Sequence, residues 1–205
     1  MTVEKRPYQK RRRAELEAHT AQRITESAMH LHGTVGPSRT SISAVAKRAG
    51  VRRSTLYRHF PDEAALFRAC TSHWMASNPP PDHDGWAAID DPDERLVVAL
   101  KELYAHYRRT EQMMENILRD EETMPIVKEL MGGYRGYMAA ARDTLVTGRR
   151  GRGRTRQRIV AAIGHALAFA TWHSLIREQA LDESQATDLM CRLVTAATAE
   201  DRAGG

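Results

Sequence analysis

Apolar residues recur at helical spacing along almost the whole chain, and no segment has the strict alternation of a half-buried strand. Ile24, Ala28 and Leu31 mark one face of a first helix, predicted from Ala14 to His32 and ended by Gly33, Gly36 and Pro37. Thr40 or Ser41 can cap a second helix, in which Ile42, Val45, Ala46 and Ala49 follow the i, i+3, i+4, i+7 rule until Gly50 stops it. A third, short helix runs to Phe60. Pro61-Asp62 opens a fourth, with Ala65, Leu66, Ala69 and Cys70 inward. The Pro- and Asp-rich stretch Ser77 to Trp86 reads as a loop. Beyond it the pattern predicts a helix from Asp93 to Arg109, then separate helices over "EQMMENILRD" and "MPIVKELMGGYRGYMAAARDTLV", the latter loosened by Gly132, Gly133 and Gly136. "TGRRGRGRTR" reads as a linker whose Gly148 to Arg154 form a disordered basic loop. Two strongly apolar helices, Arg156 to Gln179 and Ser184 to Ala199, close the chain. The expected class is all-α, with about nine helices, three of them short and at the front.

Charge changes this picture. Residues 1–60 carry 13 Lys/Arg against 4 Asp/Glu, whereas the rest of the chain carries 18 against 22. A basic first quarter on a mildly acidic remainder points to one module that meets a polyanion and another that does not. No apolar run reaches the ~18–20 residues that span a bilayer, and the basic N-terminus is not followed by the apolar stretch of a secretory signal. The only two cysteines, Cys70 and Cys191, stand alone in helical patterns. This argues against a disulfide framework and fits a reducing cytoplasm.

The third helix carries polar and basic chemistry where a core helix would carry aliphatics. At about 100° per residue, Leu56 and Phe60 fall together and point inward. Ser54 and Arg58 lie opposite them, Tyr57 and Thr55 fall to either side, and Arg52 and Arg53 stand at the helix start. A short helix of this kind suits the second element of a helix-turn-helix, whose N-terminal residues meet base edges in a major groove. Hydroxyls can bind phosphate oxygens, and an arginine can donate two hydrogen bonds to guanine.

At these residues the chain resembles the N-terminal DNA-binding domain of the TetR family of bacterial transcriptional regulators. The likeness rests on Ile24, Ala28, Leu31, Gly36, Thr40, Ile42 and Val45-Ala46, together with Ala49-Gly50-Val51, Thr55-Leu56-Tyr57 and His59-Phe60-Pro61. It implies a helix-turn-helix domain over 14–62 and a helical effector-binding and dimerisation domain over 63–200; the polar, basic residues 1–13 read as a flexible arm and residues 201–205 as a disordered tail. It further implies that Arg53, Ser54 and Tyr57 face bases or the nearby backbone, and that Thr40, Thr55, Tyr57 and His59 meet phosphates. Lys47, Arg52, Arg58 and the arm's Arg11, Arg12 and Arg13 complete the expected DNA-binding set. Two residues depart from the family pattern. His32 replaces an aromatic, predicting looser packing at the end of the first helix, and Glu63 stands where many members carry a phosphate-binding lysine.

In the remainder, Ile163, Ala166, Leu167 and Ala170 line one helix, and Leu189, Met190, Leu193, Val194 and Ala197 line the last. Stripes this wide suit either a monomer core or a four-helix interface in a homodimer. The homodimer is expected because helix-turn-helix proteins commonly read two half-sites of a palindromic operator. Tyr104, Tyr107, Met113, Met114, Ile117, Tyr137, Met138 and Trp172 are candidates to line a cavity for a small apolar or amphipathic effector, or else belong to ordinary core. No metalloprotease, nucleophile-elbow or phosphate-loop motif occurs, and His30 and His32, two apart on a helix, diverge too far to share a metal. Neither catalysis nor a cofactor is expected. Two regulator readings stand open: a ligand-responsive repressor, or a DNA-binding regulator, possibly an activator, controlled by a protein partner.

Overall fold

The computed structural model describes residues 5–199, which hold ten α-helices and no strand. They are α1 (Lys5–Thr34), α2 (Ile42–Arg48), α3 (Arg53–His59), α4 (Glu63–Ser77), α5 (His83–Ala87), α6 (Pro92–Glu121), α7 (Pro125–Val146), α8 (Gly153–Leu167), α9 (Phe169–His173) and α10 (Glu183–Ala199). A 3-10 turn, Pro37–Arg39, precedes α2, and a π turn, Ser174–Glu178, follows α9. Among the described residues no single helix is long and apolar enough to cross a membrane.

The helices pack as two units. The first holds α1–α4 together with Glu115–Met131, the end of α6 and the start of α7. Its core is the expected periodic set: Ile24, Ala28, Ile42, Val45, Ala46, Ala49, Leu56, Phe60, Leu66 and Cys70. The second unit holds α5, α6 up to Met114, α7 from Gly132, and α8–α10.

Several sequence expectations are corrected. Residues 5–13, expected as a flexible arm, are helical and continuous with α1. Their Lys, Arg and Gln residues are good helix formers, and Arg11–Glu15 and Arg13–Glu17 pair at i, i+4. Residues 1–4 of that arm and the tail 201–205 lie outside the described residues. The two helices expected between Asp93 and Asp120 are one, because no Gly or Pro interrupts them. The three glycines of α7 do not break it either. A Cβ on any of them would meet nothing within 4 Å, so packing does not require glycine there.

Conversely, the expected helix from Arg156 to Gln179 is broken. Ala168 adopts φ −67°, ψ 134°, which ends α8. The break denies the carbonyls of Ala166 and Leu167 their usual partners two and three residues past it. Two tyrosines, three apart on α6, supply replacements: Tyr104 donates its hydroxyl to Ala166 O (2.9 Å) and Tyr107 to Leu167 O (2.6 Å). The Gly/Arg segment is not a disordered loop. Arg149 is buried, donating to Leu145 O and Pro92 O and pairing with Asp93, while Gly148, Gly151 and Gly153 take positive φ around it.

Candidate functional site

The α2–α3 turn is built by backbone bonds that only a left-handed residue permits. Ser41 Oγ accepts from Ala44 N–H at the start of α2. At its end Gly50 N–H donates to Lys47 O (3.2 Å) and Val51 N–H to Ala46 O (3.0 Å), with Gly50 at φ 64°. This is a Schellman cap, and it reverses the chain into α3 within two residues. Arg23, reaching over from α1, donates to the terminal carbonyl of Ala49.

Leu56 is fully buried and locks α3 from beneath. Arg52, Arg53, Ser54 and Arg58 are exposed, and Tyr57 is 40% exposed, its ring seated at the flank. Thr55, His59 and Thr40 are half-buried, and the Nε2 of His59 is buried without a hydrogen-bond partner. Lys47, Arg11, Arg12 and Arg13 are exposed. The helix thus turns an uncapped, cationic end outward on a rigid three-helix base. This is the arrangement that lets a short helix enter a major groove.

The two departures resolve differently. His32 does not loosen α1. It is buried and stacks on Phe67, with ring centroids 4.6 Å apart and planes 15° from parallel, so imidazole fills the aromatic role. Burial lowers its pKa to about 4, against an opposing pull from Asp120. Glu63 is exposed at the first position of α4, where Asp62 caps the helix by accepting from Ala65 N–H.

Of the remaining candidates, Tyr104, Tyr107 and Trp172 are fully buried in the second unit. Tyr107 packs edge-on against Phe169 (5.3 Å) and tilted against Trp172 (5.8 Å). Met114 is buried, and Met113, Tyr137 and Met138 are half-buried; Ile117 falls in the first unit. Ile163, Ala166, Leu167, Met190 and Val194 are buried within the chain's own core, where α8 packs on α10. Ala170, Leu189 and Leu193 are exposed and Ala197 half-exposed. Sequence reasoning missed Asn116, Arg119 and Asp120, which bind the end of α1 and the turn after it. They stand at i, i+3, i+4, on one face of the helix.

Fold and surface together define a helix-turn-helix unit with a cationic outer face. Residues 24–70 match the family of bacterial regulatory proteins, tetR family. A stretch of 48 residues is 44% identical to the HTH-type transcriptional regulator AcrR of Shigella flexneri, covering 23% of this chain and 22% of that protein. The chain therefore spans about a fifth of that relative's length. Among solved structures it resembles a TetR-like transcriptional regulator from Rhodococcus sp. RHA1, with TM-score 0.63, 17% identity, and 88% and 96% of the two chains covered. It also resembles a tetR-family transcriptional regulator from Streptomyces coelicolor, with TM-score 0.57, 15% identity, and 88% and 79% covered. At these identities the likeness is one of fold.

Proposed function

We propose that the chain is a ligand-responsive transcriptional repressor that binds a palindromic operator as a homodimer. The observation that carries the DNA-binding part is the outer face of α3, with Arg53, Ser54, Tyr57 and Arg58 outward over a fully buried Leu56. Arg53 reads a base and Tyr57 fixes register. Arg53→Ala relaxes preference at one base pair, by about 1–3 kcal/mol for a bidentate contact. Tyr57→Phe weakens binding to every site by about 0.5–1.5 kcal/mol, the worth of one neutral hydrogen bond. Competition binding on a selected site and on random duplex separates the two. Equal losses on both DNAs for Arg53→Ala would make it a phosphate contact only.

The start of α4 lies against the phosphate backbone in this reading, and Glu63 costs affinity there. Glu63→Lys tightens binding to all DNA and steepens the slope of log K against log salt by about 0.9. It also costs about 0.3–1 kcal/mol of helix stability by reversing a favourable charge at a helix start. A thermal shift with an unchanged salt slope would contradict the DNA contact.

The dimer forms on the exposed side of the α8–α10 pair, where Leu189 and Leu193 stand four residues apart, 43% and 40% exposed. The effector is received by the aromatic cluster of the second unit. The hydroxyls of Tyr104, Tyr107 and Tyr137 are already committed to the carbonyls of Ala166, Leu167 and Pro81. Trp172 Nε1, His106 Nδ1 and Thr187 Oγ1 are buried without partners. Burial and the nearby Arg109 also lower the His106 pKa, keeping the ring neutral. An apolar molecule carrying a neutral hydrogen-bond acceptor suits that set, since it would satisfy the indole N–H without burying a charge. Release of the protein from its operator by such a molecule, abolished by Trp172→Phe, tests the effector reading. Release that is indifferent to Trp172→Phe would contradict it.

A further inference from the structure

Helix α1 ends against side chains contributed by a far later part of the sequence. Asn116 is buried, and its Nδ2 donates to both His32 O (3.1 Å) and Gly33 O (2.9 Å), carbonyls that the last turn of α1 leaves open. Four residues on, the buried carboxylate of Asp120 accepts the backbone N–H of Ser38 at 2.9 Å, inside the 3-10 turn that leads to α2. Arg119 joins the two, donating to Asn116 Oδ1, to Asp120 Oδ1 and to Val35 O. Burial by itself would raise the Asp120 pKa, but the bonds from Arg119 and Ser38 outweigh it and hold the carboxyl below its ordinary value.

Gly36 backs directly onto this network. It takes φ 95°, and a Cβ there would stand 2.7 Å from Asp120 Oδ2 and run into the Arg119 guanidinium. The glycine is required twice over, by its backbone angle and by the approach of the two side chains. The far end of the same turn is Thr40. Its N–H donates to Pro37 O (3.0 Å) and its hydroxyl to Gly36 O (2.8 Å). The connection from α1 to α2 is therefore tied at Ser38 by Asp120, and Thr40 is tied to the segment so held.

We infer that Asp120 and Asn116 are positioning residues for DNA binding: they fix the α1–α2 connection and thereby hold Thr40 in register for a phosphate. The inference rests on the reading of Thr40 as a phosphate contact. On binding, its hydroxyl turns from Gly36 O to a phosphate oxygen, and the rest of the turn keeps its place because Ser38 is anchored. Neither positioning residue touches DNA in this account. Their effect passes through Thr40, which makes it separable from a general loss of stability.

The test is a double-mutant cycle measured by fluorescence anisotropy on a selected duplex, with the full-length protein, at a temperature where each variant is folded. Thr40→Val and Asp120→Ala each weaken binding about three- to tenfold, as expected for one hydrogen bond. The double variant is no more than about twofold weaker than the worse single variant, because both remove the same contact. Hydrogen exchange at the Ser38 amide accelerates in Asp120→Ala and stays unchanged in Thr40→Val. If Asp120→Ala does not fold, Asn116→Ala takes its place in the cycle with the same expected non-additivity, since it removes the donors to His32 O and Gly33 O that hold the other end of the same connection. Additive losses, or a folded Asp120→Ala that binds like the parent, would overturn the inference. A silent Thr40→Val would overturn the phosphate reading of Thr40, and the inference with it. That failure is already visible in the single variant and distinct from additivity.

Discussion

Arg95→Ala will destabilise the second unit by about 3–5 kcal/mol, the sum expected when several partly buried carbonyls lose their donors at about 1–3 kcal/mol each. Arg95 is buried, and its guanidinium is solvated by main chain. It donates to Ile89 O (2.8 and 2.6 Å), to Asp90 O (3.3 Å), and to Thr144 O (3.1 Å) and Thr147 O (2.9 Å). The first pair of carbonyls lies just before α6 and the second at the end of α7, so one side chain closes two open ends. Truncation leaves the partly buried carbonyls of Ile89, Asp90 and Thr147 short of a donor, while Thr144 O keeps the Thr147 N–H, and water must replace the rest. Arg95→Lys recovers only part of the loss, because an ammonium has three donors and no planar fork. Urea unfolding of the two variants checks this. A loss below about 1 kcal/mol for Arg95→Ala would mean that the carbonyls are readily rehydrated.

Acid will weaken the first unit through His32. In the unfolded chain an imidazole titrates near 6.5, whereas in the fold burial holds His32 at about 4. Between those values the unfolded state binds the proton and the folded state refuses it. Stability is therefore fully present above about pH 6.5 and declines as pH falls toward 4, by about 3 kcal/mol in all at ~1.4 kcal/mol per pH unit. Protonation would also place a charge in the stack with Phe67, where only Asp120 offers compensation. His32→Phe should keep the stack and remove this part of the pH dependence. Thermal unfolding from pH 7.5 to 5 on both proteins tests it, and parallel curves would contradict the assignment. The second buried imidazole, His106, is present in both proteins and cancels from the comparison.

The first unit was legible in the sequence because its determinants are local. A 3.6-residue period, Ser41 as cap and Gly50 as terminator fix α2, the turn and the outward face of α3 without reference to distant residues. What was not legible depends on partners far along the chain. Nothing near His32 indicates that Phe67 will stack on it. Nothing near Gly36 indicates that Arg119 and Asp120 will occupy the space where its Cβ would be. The break at Ala168 was hidden for a related reason: alanine is the best helix former, so local propensity argues for a continuous helix. The chain breaks there nonetheless, and Tyr104 and Tyr107 donate to the carbonyls the break exposes. Arg149 likewise reads as one more exposed cation in a Gly/Arg run until the carbonyls of Pro92 and Leu145 are seen to surround it.

The central claim is that the outer face of α3 reads duplex DNA. It is tested most directly by selecting a binding site from random duplexes with the full-length protein, then measuring affinity for that site and for scrambled DNA across a salt series. The account predicts enrichment of a palindrome with half-sites about 34 Å apart. It predicts affinity that falls steeply with salt on both DNAs, and a preference for the selected site that Arg53→Ala reduces. Equal affinity for selected and scrambled duplexes at every salt concentration would contradict it.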